Sequence, residues 1–207
     1  MKKSNEIHLI SNGDDISDVL NEAAEFSKSI NLSNKDTLRV RLLTEETMGM
    51  IKTLTGEVEL KLSFIAQPDE CIICVETDTE MSALKKDDLL SVSSSGENVL
   101  AKGIMGKIRD VFETAFLMPL GDDFSDYAPA SLMDGMTMNM YSGHLMDVVY
   151  WNLESYKSNV KADKDSPDQV DRWDELEKSI VSNIASDVQV GIKNGHVVMN
   201  IIYKLTN

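Results

Sequence analysis

Two neighbouring acids, Glu45 and Glu46, lie within a stretch whose apolar residues recur at the spacing of a helix. Leu43 precedes Glu46 by three residues and Met50 follows it by four, so a helix would place Glu46 along its apolar face. A carboxylate in that position is either an edge residue solvated beside the core or part of a site. The residue pattern alone leaves both interpretations open.

A second candidate for chemistry is the pair Cys71 and Cys74, which have the CxxC spacing of redox and metal-binding motifs. The surrounding residues form a continuous apolar run that predicts a β-strand. Residues three apart in a strand face opposite sides, so the two thiols would not converge. Packing in the core is therefore the better interpretation of both cysteines.

The elements that would carry these residues follow from hydrophobic periodicity. Alternation predicts a strand at 6–11, and the 3.6-residue period predicts helices at 14–30 and 36–54. Asp36 is an acid placed to favour the dipole of the second helix, and Gly56 follows its last apolar residue. Strands at 57–66 and 71–77, joined by a short turn, are expected to form an antiparallel hairpin.

The second half of the chain is less regular. We predict a loop or lid at 78–96, helices at 97–116, 152–160 and 169–185, and a strand at 145–151. Segment 117–144 contains a methionine cluster that could fill the core or contact a partner, and we favour the core. Asn194-Gly195 predicts a tight turn between two closing strands, 187–192 and 196–205.

Composition narrows the class of protein. The 207 residues are 42% hydrophobic and carry 35 acids against 20 bases, for a formal net charge of −15. Such a surface repels phosphate backbones and anionic lipids, so we expect no nucleic-acid partner and no membrane association. The N-terminal residues lack the apolar core of a signal peptide, and two cysteines suit a reducing compartment. We therefore expect a cytoplasmic protein.

The order strand, helix, helix, hairpin, loop, helix, insertion, hairpin resembles the GHKL, or histidine-kinase-like, ATPase superfamily. Within it the chain is most similar to the bacterial anti-sigma-factor serine kinases, on the segments EIHLIS, NLSNK and VQVGIKNGHVVMNIIYKL. The resemblance implies an α/β (α+β) two-layer sandwich, with a mixed, mostly antiparallel sheet and helices on one face. It implies a single domain over 1–207 with a family-atypical insertion at 117–186.

The resemblance also assigns roles to individual residues. An EExxxN box of the family matches 45–50, which makes Glu46 the general base. Met50 stands where the family has a magnesium-binding Asn, and a thioether is a poor ligand for Mg²⁺. The adenine-binding Asp of the DxGxG box aligns best with Thr77. Asp78, one place further on, is the aspartate available for this role, and both glycines of the box are missing here.

A third family box is glycine-rich and opens a helix, so that backbone amides can face phosphates. Its counterpart here contains Gly103 and Gly106, with Lys102 and Lys107 as assisting cations. A glycine costs about 1 kcal/mol relative to alanine inside a helix, so we expect the regular helix to begin near Met105. The alternative is that the two glycines permit close packing of helix on sheet.

Taken together, the resemblance implies an ATP-binding regulatory protein with weak or no phosphoryl transfer. Its expected partner is a sigma factor or an anti-anti-sigma factor, and a homodimer is compatible with it. The alternative is a degenerate module that keeps the fold and acts only through protein contacts. ATP is the cofactor implied, and magnesium is disfavoured by Met50.

Overall fold

The computed structural model of the protein describes residues 1–11, 16–55, 57–78, 104, 106–108, 111, 148–162, 173–174, 176–193 and 195–206. Among these residues the strands are β1 (Lys2–Lys3), β2 (Ile7–Ile10), β3 (Glu59–Ala66), β4 (Glu70–Asp78), β5 (Val148–Asn152), β6 (Asp187–Lys193) and β7 (His196–Lys204). The helices with complete bounds are α1 (Ile16–Ser29), α2 (Asn34–Thr55), α3 (Leu153–Ala162) and α4 (Ile180–Ile184). Positions 104, 106–108, 111, 173–174 and 176–178 are also helical.

The described strands form one open, mostly antiparallel sheet of seven strands, which confirms the predicted α+β class. The strand order is β1-β3-β4-β7-β6-β5, and β2 pairs with β3 beside β1. The closing strand β7 therefore lies in the middle of the sheet, next to β4. The β1 strand was not predicted from the sequence, because two lysines give no apolar alternation to detect.

The structure confirms the β3–β4 hairpin expected from the sequence. It is antiparallel, with Leu62 opposite Val75 and Ala66 opposite Cys71. Leu60, Leu62 and Phe64 are buried on one face of β3. The Phe64 ring stacks on Phe26 of α1 with a centroid distance of 5.7 Å, so α1 packs on the sheet through this pair.

Local signals fix the boundary between α1 and α2. Asn31 adopts a left-handed φ of 56°, a conformation that Asn tolerates better than most residues. The Asn31 N–H bonds to the Lys28 carbonyl and the Leu32 N–H to the Ser27 carbonyl, which is the Schellman pattern of a helix C-terminus. Two residues later Ser33 caps α2, since its Oγ accepts the Asp36 N–H at 3.1 Å.

The apolar face of α2 is the one that the spacing predicted. Six residues at helical spacing along this face are all buried, namely Val40, Leu43, Thr47, Met50, Ile51 and Leu54. The helix contacts α1, β4 and α4. The long amphipathic helix predicted at 169–185 is interrupted instead. The Ser179 N–H bonds three residues back to Leu176, and a separate α4 follows.

The chain divides into two compact units. Unit 1 comprises Met1–Asp78, Ile180–Gln189 and Val198–Asn207, and unit 2 comprises Thr79–Ser179 and Val190–Val197. The predicted single domain with an insertion at 117–186 stays a prediction. In the part of the chain with described structure, no helix is long and apolar enough to cross a membrane.

Several predictions from the sequence agree with the structure only in part. Asp78, expected to open a loop, is the last residue of β4. Ile104 is already helical, slightly before the start expected near Met105. The rest of the predicted loop at 79–96 and the methionine cluster at 132–140 lie outside the described residues.

Candidate functional site

Glu46 lies in the middle of α2, at the border between its buried and exposed faces. Its side chain is half-buried, whereas the adjacent Glu45 is exposed. The neighbouring threonine hydroxyls are used inside the helix: Thr44 donates to the Val40 carbonyl at 2.8 Å and Thr47 to the Leu43 carbonyl at 2.6 Å. The Glu46 carboxylate therefore receives neither hydroxyl proton, and it remains available at the rim of the core.

Met50 belongs to the core. Its side chain is 6% exposed and lies on the buried stripe of α2 with Leu43 and Leu54. A thioether in that environment contributes apolar contact and no oxygen ligand for a hard cation. Among the described residues, no group of three or more His, Cys, Asp or Glu side chains converges on a possible metal position.

Asp78 ends β4 and is exposed, while its neighbour Thr77 is buried. The Thr77 hydroxyl donates to the Glu59 carbonyl at 2.7 Å, so Thr77 is committed to holding the end of the hairpin. Asp78 is thus the residue of this pair whose side chain faces outward. Glu46 and Asp78 both belong to unit 1, in which α2 contacts β4.

Lys107 belongs to unit 2 and lies on the buried face of its helix. Ile104, Ile108 and Val111 share that face at the expected spacing, and Lys107 itself is only 9% exposed. Its Nζ lies 5.8 Å from the centroid of the Tyr156 ring, within the range of a cation–π contact. Gly106 is also buried. The two other predicted phosphate-binding residues, Lys102 and Gly103, lie outside the described residues.

The described residues also contain a buried polar cluster that the sequence did not predict. Asp36, 3% exposed, accepts hydrogen bonds from Ser33 Oγ at 2.7 Å, Tyr203 OH at 2.5 Å and both the N–H and hydroxyl of Thr206, at 3.2 and 2.7 Å. The Arg39 guanidinium also donates to the Tyr203 hydroxyl at 3.2 Å. This cluster, which we call the Asp36 clasp, joins the N-terminal turn of α2 to the C-terminal end of the chain.

The hydrogen bonds of the clasp determine the charge state of Asp36. Burial by itself favours the neutral carboxyl and would raise its pKa. The donors from Ser33, Tyr203 and Thr206 outweigh that effect and lower the pKa of Asp36 from 3.8 to about 2. Burial, against the opposing effect of Arg39, raises the pKa of Tyr203 above its ordinary value. The clasp is therefore an ionised carboxylate held by neutral donors at neutral pH.

Only half of the clasp has a local signal. Ser33 and Asp36 have the spacing of a capping box, which can be found in the sequence. Tyr203 and Thr206 lie 167 and 170 residues away, and no periodicity links them to Asp36.

The two cysteines are buried free thiols, as the strand pattern predicted. Burial raises the pKa of Cys71 to about 12. Burial and the nearby Glu76 carboxylate raise that of Cys74 to about 11. Thiols with such values are fully protonated at neutral pH, and a protonated thiol is neither a nucleophile nor a good metal ligand.

Comparison with known proteins supplies no family for this chain. Neither the protein-family models nor the curated proteins contain a match to it.

Proposed function

We propose that the chain is an ATP-binding regulatory protein of the histidine-kinase-like type, with weak or no phosphoryl transfer. The observation that carries this proposal is the order of elements in unit 1. An acid-bearing helix, α2, is followed directly by an antiparallel hairpin, and the hairpin ends at an exposed aspartate, Asp78. In this proposal Asp78 accepts the adenine amino group, and Glu46 occupies the position of the general base.

The burial of Met50 supports the weak-transfer part of the proposal. Phosphoryl transfer relies on a metal ion that neutralises charge on the phosphates, and Mg²⁺ takes oxygen ligands. Met50 provides sulfur in the core, at the position where the family has an amide. Nucleotide would then act as a ligand that selects one state of the protein, and turnover would be slow.

Thermal denaturation with and without ATP tests nucleotide binding. A ligand that binds only the native state stabilises it, by about 2.7 kcal/mol at a concentration one hundred times its Kd. We expect ATP to raise the Tm of the full chain, and Asp78→Asn to abolish the rise. Asp69→Asn is the matched control, since Asp69 is an exposed aspartate directly before the first residue of β4. No rise with wild-type protein at millimolar ATP would rule out the proposal.

Separate substitutions of the two neighbouring acids, Glu46 and Glu45, test the role of Glu46. Glu46→Gln should keep the ATP-induced rise in Tm and remove any residual hydrolysis, because an amide cannot accept a proton at neutral pH. Glu45→Gln should leave both unchanged, since the Glu45 side chain is exposed to solvent. Equal hydrolysis in the two variants would exclude Glu46 as the base.

The second candidate is a protein-interaction module without nucleotide binding. The buried Met50 and the net charge of −15 favour it, since a thioether is a poor ligand for magnesium and the negative charge repels phosphates. The partner expected from the resemblance is a sigma factor or an anti-anti-sigma factor. Binding of such a purified partner with equal affinity in the presence and absence of ATP, together with no ATP-induced rise in Tm, would favour this candidate.

A further inference from the structure

The side of α2 that faces away from its buried residues carries a row with two leucines and a glycine. Four residues follow one another along this side at steps of four, three and four, namely Leu38, Leu42, Glu45 and Gly49. We call them the outer row. Leu38 is 67% exposed, and Leu42 is half-buried. A single exposed leucine is ordinary on a protein surface, and the residues in line with Leu38 are what distinguish this one.

Gly49 leaves a hollow at the C-terminal end of the outer row. It is exposed, and an added Cβ atom would meet no atom within 4 Å in the described part of the chain. Packing among the described residues therefore does not require glycine at this position. Glycine is also a poorer helix former than alanine, so its presence inside α2 lowers the stability of the helix. A second helix that crosses α2 at this point would use the missing side chain, because it could approach the backbone closely.

Two exposed charges, Arg41 and Glu45, lie on one flank of the outer row. They are one helical turn apart, with the base before the acid, which is the less favourable order for an ion pair within a helix. Neither side chain forms an ion pair with another residue in the described part of the chain. A surface that presents one free charge of each sign beside an apolar row is able to complement a copy of itself.

The spacing of the outer row fits such a copy. In a contact about a twofold axis, residue i of one copy meets residue j of the other, and j meets i. When two α2 helices pack antiparallel with Leu38 over Gly49 of the second copy, the axis passes between positions 43 and 44. That point is close to the middle of the 22-residue helix. The contact of leucine with hollow then forms twice, once at each end of the helix pair.

The charges match in the same arrangement. With the axis between positions 43 and 44, Arg41 lies within one residue, about 1.5 Å along the helix, of the level of Glu45 in the second copy. Both side chains lie on the same flank of the helix pair, so each Arg41 faces the Glu45 of the other copy. Leu42 lies near the axis, where the leucines of the two copies cover each other's apolar surface.

We propose that two copies of the chain associate through the outer rows of α2, as an antiparallel helix pair. Leu38 of each copy fills the hollow at Gly49 of the other, and Arg41 pairs with Glu45 across the axis. One helix pair is a small contact for a protein interface, so we expect a reversible dimer whose population rises with concentration. The inference goes beyond the proposed function, because none of these residues takes part in nucleotide binding.

Sedimentation velocity of the full chain measures this dimer. Two copies each carry a net charge of −15 and repel at long range, so the measurement is made at about 0.15 M salt, where exposed charges are largely screened. We expect the monomer of 23.0 kDa to convert to a dimer as the concentration is raised.

Leu38→Glu should raise the dissociation constant Kd of the dimer at least about tenfold, because it removes the apolar contact and places a charge against the second helix. Ile16→Glu is the matched control, since Ile16 is an exposed apolar residue of α1 outside the outer row. It should leave the Kd unchanged.

Gly49→Ala separates the contact between copies from an effect on folding. Alanine is the better helix former and its Cβ would meet no described atom, so the Tm should rise at concentrations where the chain is monomeric. The same Cβ occupies the hollow that receives Leu38, so the Kd of the dimer should rise as well. A glycine without a role in association would give the rise in Tm and an unchanged Kd.

Reversal of the two charges tests the register of the helices. Arg41→Glu alone and Glu45→Arg alone each place like charges opposite one another, and each should raise the Kd. The double variant restores opposite charges and should return the Kd toward that of the wild type. Circular dichroism confirms that all variants are folded.

Three results would overturn the inference. One is a chain that stays monomeric at millimolar concentration, which would leave the outer row to solvent or to a different protein. Another is a dimer that Leu38→Glu does not weaken, and the third is a dimer that Ile16→Glu weakens equally. Nucleotide is absent from these measurements, so their outcome does not depend on whether ATP raises the Tm.

Discussion

At the scale of single residues, the Asp36 carboxylate of unit 1 is a buried charge that accepts four hydrogen bonds. Burying a charge is costly unless hydrogen bonds replace its water, and here Ser33, Tyr203 and Thr206 provide them. Removal of one donor leaves part of a buried charge unsatisfied, which costs more than the bond itself contributed. The free energy of unfolding should therefore change strongly when a clasp residue is substituted and when the pH is lowered.

Tyr203→Phe removes one hydroxyl from the clasp and keeps the ring. We expect a loss of about 1–3 kcal/mol in the free energy of unfolding at neutral pH, measured by guanidinium denaturation. A double-mutant cycle with Asp36→Asn is the control, because the two losses should not add if the residues act through one bond. Fully additive losses would show that the hydroxyl and carboxylate are not coupled.

The effect of Tyr203→Phe should depend on pH in a defined direction. The pKa of Asp36 is 3.8 ordinarily and about 2 in the folded protein. The ionised carboxylate therefore stabilises the native state above about pH 4, and this contribution disappears as the pH falls through about 2. The stability difference between wild type and variant should shrink over that window. A difference that grows on acidification would contradict the charge state assigned to Asp36.

Cys71 and Cys74 should be unreactive in the native protein. Their pKa values of about 12 and about 11 leave almost no thiolate at pH 8, and both side chains are buried. A colorimetric thiol reagent at pH 8 should label neither residue in the folded chain and both in guanidinium. Rapid labelling of one thiol in the native state would show that β4 opens locally. It would also make that cysteine a candidate nucleophile or metal ligand.

At the scale of elements, α2 connects the fold with the proposed site. Its apolar stripe packs it in unit 1, its first turn carries the clasp, and its middle presents Glu46 at the rim of the core. The direction of Glu46 is thus set by contacts at both ends of the helix. A substitution at the N-terminal end of α2 should lower the free energy of unfolding, because Ser33 belongs to both the helix cap and the clasp.

Ser33→Ala removes the cap of α2 and one donor to Asp36 together. N-cap losses cost about 1 kcal/mol, and we expect at least that here in guanidinium denaturation. Thr53→Ala is the matched control within the same helix, since Thr53 is exposed and its hydroxyl only donates back to the Gly49 carbonyl. It should be close to neutral. Equal losses in the two variants would mean that the cap does not stabilise α2 measurably.

At the scale of the whole molecule, unit 1 is built from segments that are distant in the chain. Met1–Asp78 provides α1, α2 and four strands, and the C-terminal residues provide β7, which pairs with β4. The Leu205 N–H bonds to the Asp69 carbonyl, and Tyr203 completes the clasp. Unit 1 therefore needs β7 and the residues that follow it to complete its sheet and the clasp.

A fragment of residues 1–78 should not fold on its own. It leaves β4 without β7 and Asp36 without Tyr203 and Thr206, so a sheet edge and a buried charge are both unsatisfied. We expect no cooperative thermal transition by circular dichroism. The same fragment joined through a glycine-serine linker to residues 180–207 should recover one. Cooperative unfolding of 1–78 alone would contradict the dependence of unit 1 on the C-terminal strand.

The sequence alone determined the local structure of this protein. The stripe on α2, the alternation in β3, the burial of both cysteines and the turn at Gly195, whose φ is 80°, all follow from patterns spanning about ten residues. The class of fold follows from the order of those elements. Each of these features depends on residues that are close together in the sequence, so it can be predicted without the tertiary structure.

Only the tertiary structure decided which distant residues meet. It placed β7 beside β4, brought Tyr203 to Asp36 across 167 residues, and set Lys107 against the ring of Tyr156. Asp36 was predicted as a dipole-favouring acid and is in addition the centre of a buried cluster. The physical reason is that partners across a sheet are selected by chain closure and packing, which leave no periodic trace in the sequence.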